Sequence, residues 1–189
     1  MRFIILAAVL ILAASQIQGA HAWSIKNHHE IAESVYHAMP EDVRSKLSLD
    51  EMKNGADDPD TVFFDFKYHT YPYTTQKASF WLNQGKISYE SGNYRYASYC
   101  FGVASHYISD GVCGPHTSGG SSRYFHTLYE LRAMMIKPGM AYTEGETHEE
   151  AAILWRKWVL EGDDRYISDA LDMACGLSYR EIMNSIGYF

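Results

Sequence analysis

The chain is poor in the features that mark several common classes of protein. It has three cysteines, Cys100, Cys113 and Cys175, too few and too odd in number for a disulfide framework to stand in for a core. It has no excess of basic residues: 16 Lys and Arg face 23 Asp and Glu, for a net charge of −7. That sign opposes binding to nucleic acid by phosphate neutralisation, so no stable nucleic-acid partner is expected. No apolar run reaches the ~20 residues that span a bilayer. No segment alternates apolar and polar residues with the period of two that marks half-buried strands. Internal repeats, low-complexity tracts and linkers are absent as well, and nothing divides the chain into two domains.

The amino terminus does carry a short apolar run. Met1-Arg2 precedes uninterrupted apolar residues 3–14, and Ala20-His21-Ala22 stands before Trp23. A basic start, a core of this length and an A-x-A site read as a signal peptide over residues 1–22, with a secreted protein beginning at Trp23. No cysteine at the cleavage point offers a lipid anchor. Export permits disulfides. Cys100 and Cys113 are a poor pair, because a helix through most of the interval separates them by ~15 Å. The open alternatives are Cys175 bonded to either one, or three buried thiols.

The remaining pattern is helical throughout, and the expected fold is all-α. Ile31, Val35 and Met39 mark one helix that Pro40 ends, and residues 42–52 suit a second. A loop rich in aromatic and turn residues is expected over 54–75. Residues 78–89 read as a helix closed by Ser91-Gly92-Asn93. Ala97, Phe101, Ala104 and Ile108 form an apolar stripe along a helix over 94–108. Residues 117–122 read as a loop. Further helices are expected over 124–135, 146–160 and 166–175, with a short last one from Tyr179.

The centre of the chain carries the chemistry. His106 and Asp110 are four residues apart, as are His126 and Glu130, and Pro115-His116 lies between the pairs. On a helix, each pair projects from one face with Cβ atoms roughly 5–6 Å apart. Imidazole and carboxylate are zinc ligands, and two pairs with an additional His imply more than one ion. His37 and His148 match no pattern and read as surface residues.

These residues, taken with those before them, resemble the secreted zinc-dependent phospholipase C enzymes, which share a fold with S1/P1-type nucleases. Trp23, Ser24 and His28 resemble the opening W-G-x-x-G-H, with His29 a competing histidine. Gly55 and Asp60 resemble a glycine with an aspartate five residues on, with Asp57 a competitor. Phe66 and His69 match an aromatic residue three positions before a histidine. His106, Tyr107, Asp110, Pro115 and His116 match H-Y-x-x-D-x-x-x-x-P-H, and His126 with Glu130 supplies the closing H-x-x-x-E.

The resemblance implies a multi-helix bundle holding three zinc ions. One would be bound by Asp60, His69, His106 and Asp110. A second would be bound by Trp23, through its freed amine and carbonyl, with His28 and a bridging Asp110. The third would be bound by His116, His126 and Glu130. It implies hydrolysis of a phosphodiester by a zinc-activated water, with Asp60 acting as base or orienting that water, and a phospholipid substrate contacted by Phe66. Lys26 and Thr61 stand where choline-preferring members carry Glu and Tyr, which disfavours a cationic headgroup. The aromatic loop over 63–73 suits an acyl pocket, a membrane surface or stacked bases. A single-strand nuclease and a non-catalytic zinc protein are the alternative functions.

Overall fold

A computed structural model describes residues 23–117, 122–140 and 148–189. The expected signal peptide lies outside the described residues. Among those described there are nine α-helices and no strand. They are α1 (Ile25–Ala38), α2 (Glu41–Arg44), α3 (Leu49–Asp58), α4 (Tyr73–Glu90), α5 (Tyr94–Asp110), α6 (Gly114–Thr117), α7 (Arg123–Ala133), α8 (His148–Glu161) and α9 (Arg165–Ser185).

Local chemistry sets the boundaries. The Ser24 side chain accepts from Asn27 N and caps α1, and Met39 leaves the helix in an extended conformation just before Pro40. The single helix expected over 42–52 is instead two. Ser48 accepts from Glu51 N and starts α3 afresh, while its own N–H donates to Ser98 Oγ on α5 at 2.9 Å. Asn93 caps α5 in the same way by accepting from Tyr96 N. The expected loop over 54–75 begins late. The α3 helix runs to Asp58 and continues as a π-turn over Pro59–Phe63, where the missing proline N–H suits a widened register. The two helices expected near the carboxyl end are one continuous helix, α9. The expected start of α8 at Glu146 lies outside the described residues.

The α5 helix is central. It packs against α3, α4, α1 and α9, and all but a few of its residues are buried. Its approach to α3 is set by two glycines. A Cβ on Gly55 would stand 2.1 Å from Tyr99 O, and one on Gly102 would stand 2.0 Å from Met52 O. Only hydrogen at both positions lets the backbones meet so closely. The main core gathers Trp23, Ile31, Val35, Met52, Phe101, Tyr129, Trp155, Trp158, Leu171 and Ile182. Within it, Tyr129 meets Trp155 and Trp158 edge-on, each at 5.1 Å between ring centroids, a favoured aromatic geometry. Phe101 belongs to this core, whereas Tyr96 of the same helix is exposed.

Cys100, Cys113 and Cys175 are buried thiols with no disulfide among them. Burial pushes Cys100 up to about 11 and Cys175 up to about 12, and raises Cys113 well above the usual thiol range. Buried, protonated thiols are inert.

Two outcomes are expected. Ellman's reagent should leave all three thiols of the native protein unmodified and titrate all three in guanidinium; one reactive thiol in the denatured, unreduced protein would instead reveal a disulfide. Gly102→Ala should destabilise the fold by roughly 1–3 kcal/mol through overpacking, read as a lower urea midpoint, and an unchanged midpoint would refute the close approach of α3 and α5.

Candidate metal centre

The carboxyl end of α5 presents His106 and Asp110 on one face, four residues apart, as helix geometry requires. Both are fully buried. Around them the fold brings His28 from α1, Asp60 from the π-turn and His69 from just beyond the short 3₁₀ turn Phe66–Tyr68. Asp110 Oδ2 lies 2.9 Å from His69 Nδ1 and 3.2 Å from His106 Nε2, while Oδ1 lies 3.4 Å from His28 Nε2. Asp60 Oδ1 lies 3.5 Å from His69 Nδ1 and 4.0 Å from His106 Nε2. The His28 and His106 rings stack with centroids 3.8 Å apart. Two three-residue groups result, His28–His106–Asp110 and Asp60–His69–His106, each with ligand atoms within 4.8 Å of one another.

The far nitrogens of these rings are turned toward protein partners. His106 Nδ1 is 2.7 Å from Ala56 O, a contact that the tight α3–α5 approach makes possible. His28 Nδ1 is 3.2 Å from Ser109 Oγ. His69 reverses the pattern, with Nδ1 inward and Nε2 at 3.4 Å from Asp65 Oδ1. Asp65 in turn accepts from Tyr107 Oη, 2.9 Å from each of its oxygens, and pairs with Lys77 Nζ at 2.7 Å. Histidines that bind metal have this arrangement, with the second ring nitrogen held by a protein group.

A third group stands nearby and is more open: His116, His126 and Glu130. His126 Nε2 is 3.3 Å from His116 Nε2 and 2.7 Å from Glu130 Oε1. His116 Nδ1 is 2.7 Å from His69 O, which ties this group to the first.

The electrostatics suit cations. Burial and the neighbouring His106 push His28 down to about 3, and burial also lowers His116, so both present the neutral imidazole that coordination needs. Burial alone would raise Asp110, but His106, His28 and His69 override it and hold its carboxyl far below the usual range. His69 moves the other way: burial lowers it, and Asp110, Asp60 and Asp65 more than compensate. Both oxygens of the ionised Asp110 are buried and, like His28 Nε2, make no hydrogen bond among the described residues. A buried carboxylate left in that condition costs several kcal/mol unless a cation meets it. The donor set and these polar atoms therefore fit divalent metal.

The remaining sequence candidates fall as follows. His29 and Asp57, the competitors of His28 and Asp60, pair with each other at 2.7 Å and are partly exposed. Trp23 is fully buried, its indole donating to Ser109 O at 2.9 Å, one residue from Asp110. Phe66 is exposed, with its ring 5.7 Å from that of His69. Lys26 pairs with Glu30 and donates to Met134 O, each at 2.8 Å. The Thr61 hydroxyl donates to Asp57 O. His37 is exposed on α1, and His148 stacks on Tyr71. Asp65 belongs to no motif in the sequence, and its place four residues before His69 is only a weak signal of contact.

A family model described as zinc dependent phospholipase C matches residues 27–174. The match contains the three groups from His28 to Glu130 and leaves Trp23 outside. No curated protein matches the chain, and no solved structure does.

The two neighbouring histidines on α1 should separate cleanly. His28→Ala should lower the zinc retained after gel filtration by roughly one ion per chain, as expected on loss of a ligand from a three- or four-ligand set. His29→Ala should retain the native amount. Equal loss in both variants would overturn the placement of His28 in the cluster.

Proposed function

Since the chain belongs to the zinc-dependent phospholipase C family, we propose that it is a secreted hydrolase that cleaves a phospholipid at its headgroup phosphodiester, using three zinc ions. The observation that carries the reading is the division of labour at Asp110, whose Oδ1 faces His28 while Oδ2 faces His69 and His106. A carboxylate split in this way suits a bridge between two cations. One ion would be held by Asp60, His69, His106 and Asp110. The second would be held by His28, Asp110 and Trp23, whose amine becomes a ligand only after cleavage of residues 1–22. The third would be held by His116, His126 and Glu130.

Bound zinc supplies Lewis acidity toward the phosphate oxygens and lowers the pKa of an attacking water. The protein's own groups do the rest. The buried imidazoles fix the positions of the ligand nitrogens, and Asp60, 5% exposed at the edge of the cluster, orients the water or accepts its proton. His116, His126 and Glu130 are partly exposed and lie on the side from which substrate arrives. Phe66 beside His69 offers an apolar contact to the lipid. Val62, Phe64 and Phe66 are exposed on the segment between Asp60 and His69, which suits contact with a membrane surface. No helix among the described residues is long and apolar enough to cross a membrane. The Lys26 ammonium pairs with Glu30 and donates to Met134 O.

Elemental analysis of protein beginning at Trp23 should find about three zinc ions per chain, the number compatible with the three ligand sets. That protein should release phosphorylated headgroup from short-chain phospholipid micelles and leave single-stranded DNA intact. Asp110→Asn should reduce hydrolysis by more than about 100-fold, because losing a ligand exceeds the effect of losing a ligand's supporting partner. Protein that retains Met before Trp23 should hold about one zinc fewer. Cleavage of single-stranded DNA with lipid untouched would transfer the chain to the nuclease reading, and a zinc-free protein would end both.

A further inference from the structure

The segment between Asp60 and His69 contains a constrained residue whose purpose the metal ligands alone do not explain. Phe64 has φ of 50° and ψ of 36°, and among the described residues it alone adopts a positive φ without being glycine. That conformation costs an L-residue roughly 1–2 kcal/mol. Its side chain is 64% exposed, so packing of the ring does not hold it there. The next residue, Asp65, is held firmly: Tyr107 Oη is 2.9 Å from both carboxylate oxygens, and Lys77 Nζ is 2.7 Å from Oδ2. Lys77 is itself seated over the Tyr68 ring at 4.4 Å. Two groups, from α4 and α5, thus fix one carboxylate, and its Oδ1 is turned toward His69 Nε2 at 3.4 Å.

We propose that Asp65 is the positioning residue for His69: its carboxylate accepts a hydrogen bond from Nε2–H and thereby presents Nδ1 to the metal. The inference rests on the zinc reading above. A ring nitrogen that binds metal carries no proton, so His69 coordinating through Nδ1 holds its proton on Nε2. Among the described residues Nε2 is buried and makes no hydrogen bond, and the Asp65 carboxylate is an acceptor within its reach. Tyr107 and Lys77 prevent Asp65 from swinging into the cluster and becoming a ligand itself. His106 and His28 rely on neutral oxygens at Ala56 and Ser109 for the same purpose. His69 alone of the three is backed by a carboxylate, which makes it the most basic imidazole ligand of the set.

The test measures zinc by chelator competition, with the melting temperature of the metal-free protein as a second readout. Asp65→Asn keeps the shape and replaces the charged acceptor with an amide. It should weaken one of the bound zinc ions by about 10–100-fold, the usual effect of removing a ligand's supporting partner, with little change in the metal-free melting temperature. Tyr107→Phe and Lys77→Gln should each weaken the same ion by less, since Asp65 remains. Should Asp65→Asn fail to fold, the double variant Tyr107→Phe with Lys77→Gln, which releases the carboxylate from both its anchors, decides the matter by the same two readouts. Native-like zinc affinity in the decisive variant overturns the role of Asp65 while leaving the proposed function standing. So does a drop in metal-free melting temperature as large as that of a core cavity. A native protein that binds no zinc overturns both.

Discussion

A single buried carboxylate organises this molecule. Asp110 sits at the end of the central helix with no exposure, surrounded by three imidazoles and without a hydrogen bond to either oxygen among the described residues. An isolated ionised carboxylate in such a place is among the most costly arrangements a fold can contain. Its neighbours lower the cost unevenly: Asp110, Asp60 and Asp65 shift His69 toward its charged form, while burial holds His28 neutral. The cluster is thus an assembly of donors suited to positive charge. Segments from α1, the π-turn and the aromatic loop all converge on the carboxyl end of α5.

The convergence depends on backbone proximity as much as on the ligands. Gly55 and Gly102 let α3 and α5 touch, and this contact brings Ala56 O to His106 Nδ1. The π-turn that continues α3 past Pro59 then turns Asp60 into the buried cluster. Trp23 closes the other side through its bond to Ser109 O, and Ser109 Oγ faces His28. Packing glycines, a widened helical turn and an indole are structural features, but each sets the position of a proposed ligand. Stability and chemistry are therefore not separable in this part of the molecule.

The family match reaches residue 174, well past the last motif at Glu130. The helices beyond that point carry no recognisable site residue, yet Trp155, Trp158 and Leu171 supply much of the main core. Gly114, one residue before Pro115-His116, lies against Trp155: a Cβ there would stand 2.8 Å from the Trp155 Cβ. The carboxyl-terminal third thus braces the turn that presents His116. Core positions of this kind tolerate exchange among apolar residues of similar volume, which leaves no short motif to read.

What the sequence determined by itself was whatever depends on distance along the chain. Four-residue spacing sets His106 with Asp110 and His126 with Glu130 on single helix faces, and the apolar stripe of Ala97, Phe101 and Ala104 marks α5 as a core helix. The helical class follows from the same periodicity. Its boundaries were less legible, since Ser48 and Pro59 act through a cap and a register change that composition alone does not reveal. Choices between near neighbours were decided only by tertiary structure. His28 and His29 are adjacent, so their side chains leave α1 in different directions, and the rotation of α1 against α5 selects which one meets Asp110. The same packing pairs His29 with Asp57 and leaves Asp60 to the cluster. Asp65 needed still more, because its contacts with Tyr107, Lys77 and His69 join three segments whose approach is fixed by the core and not by any local pattern.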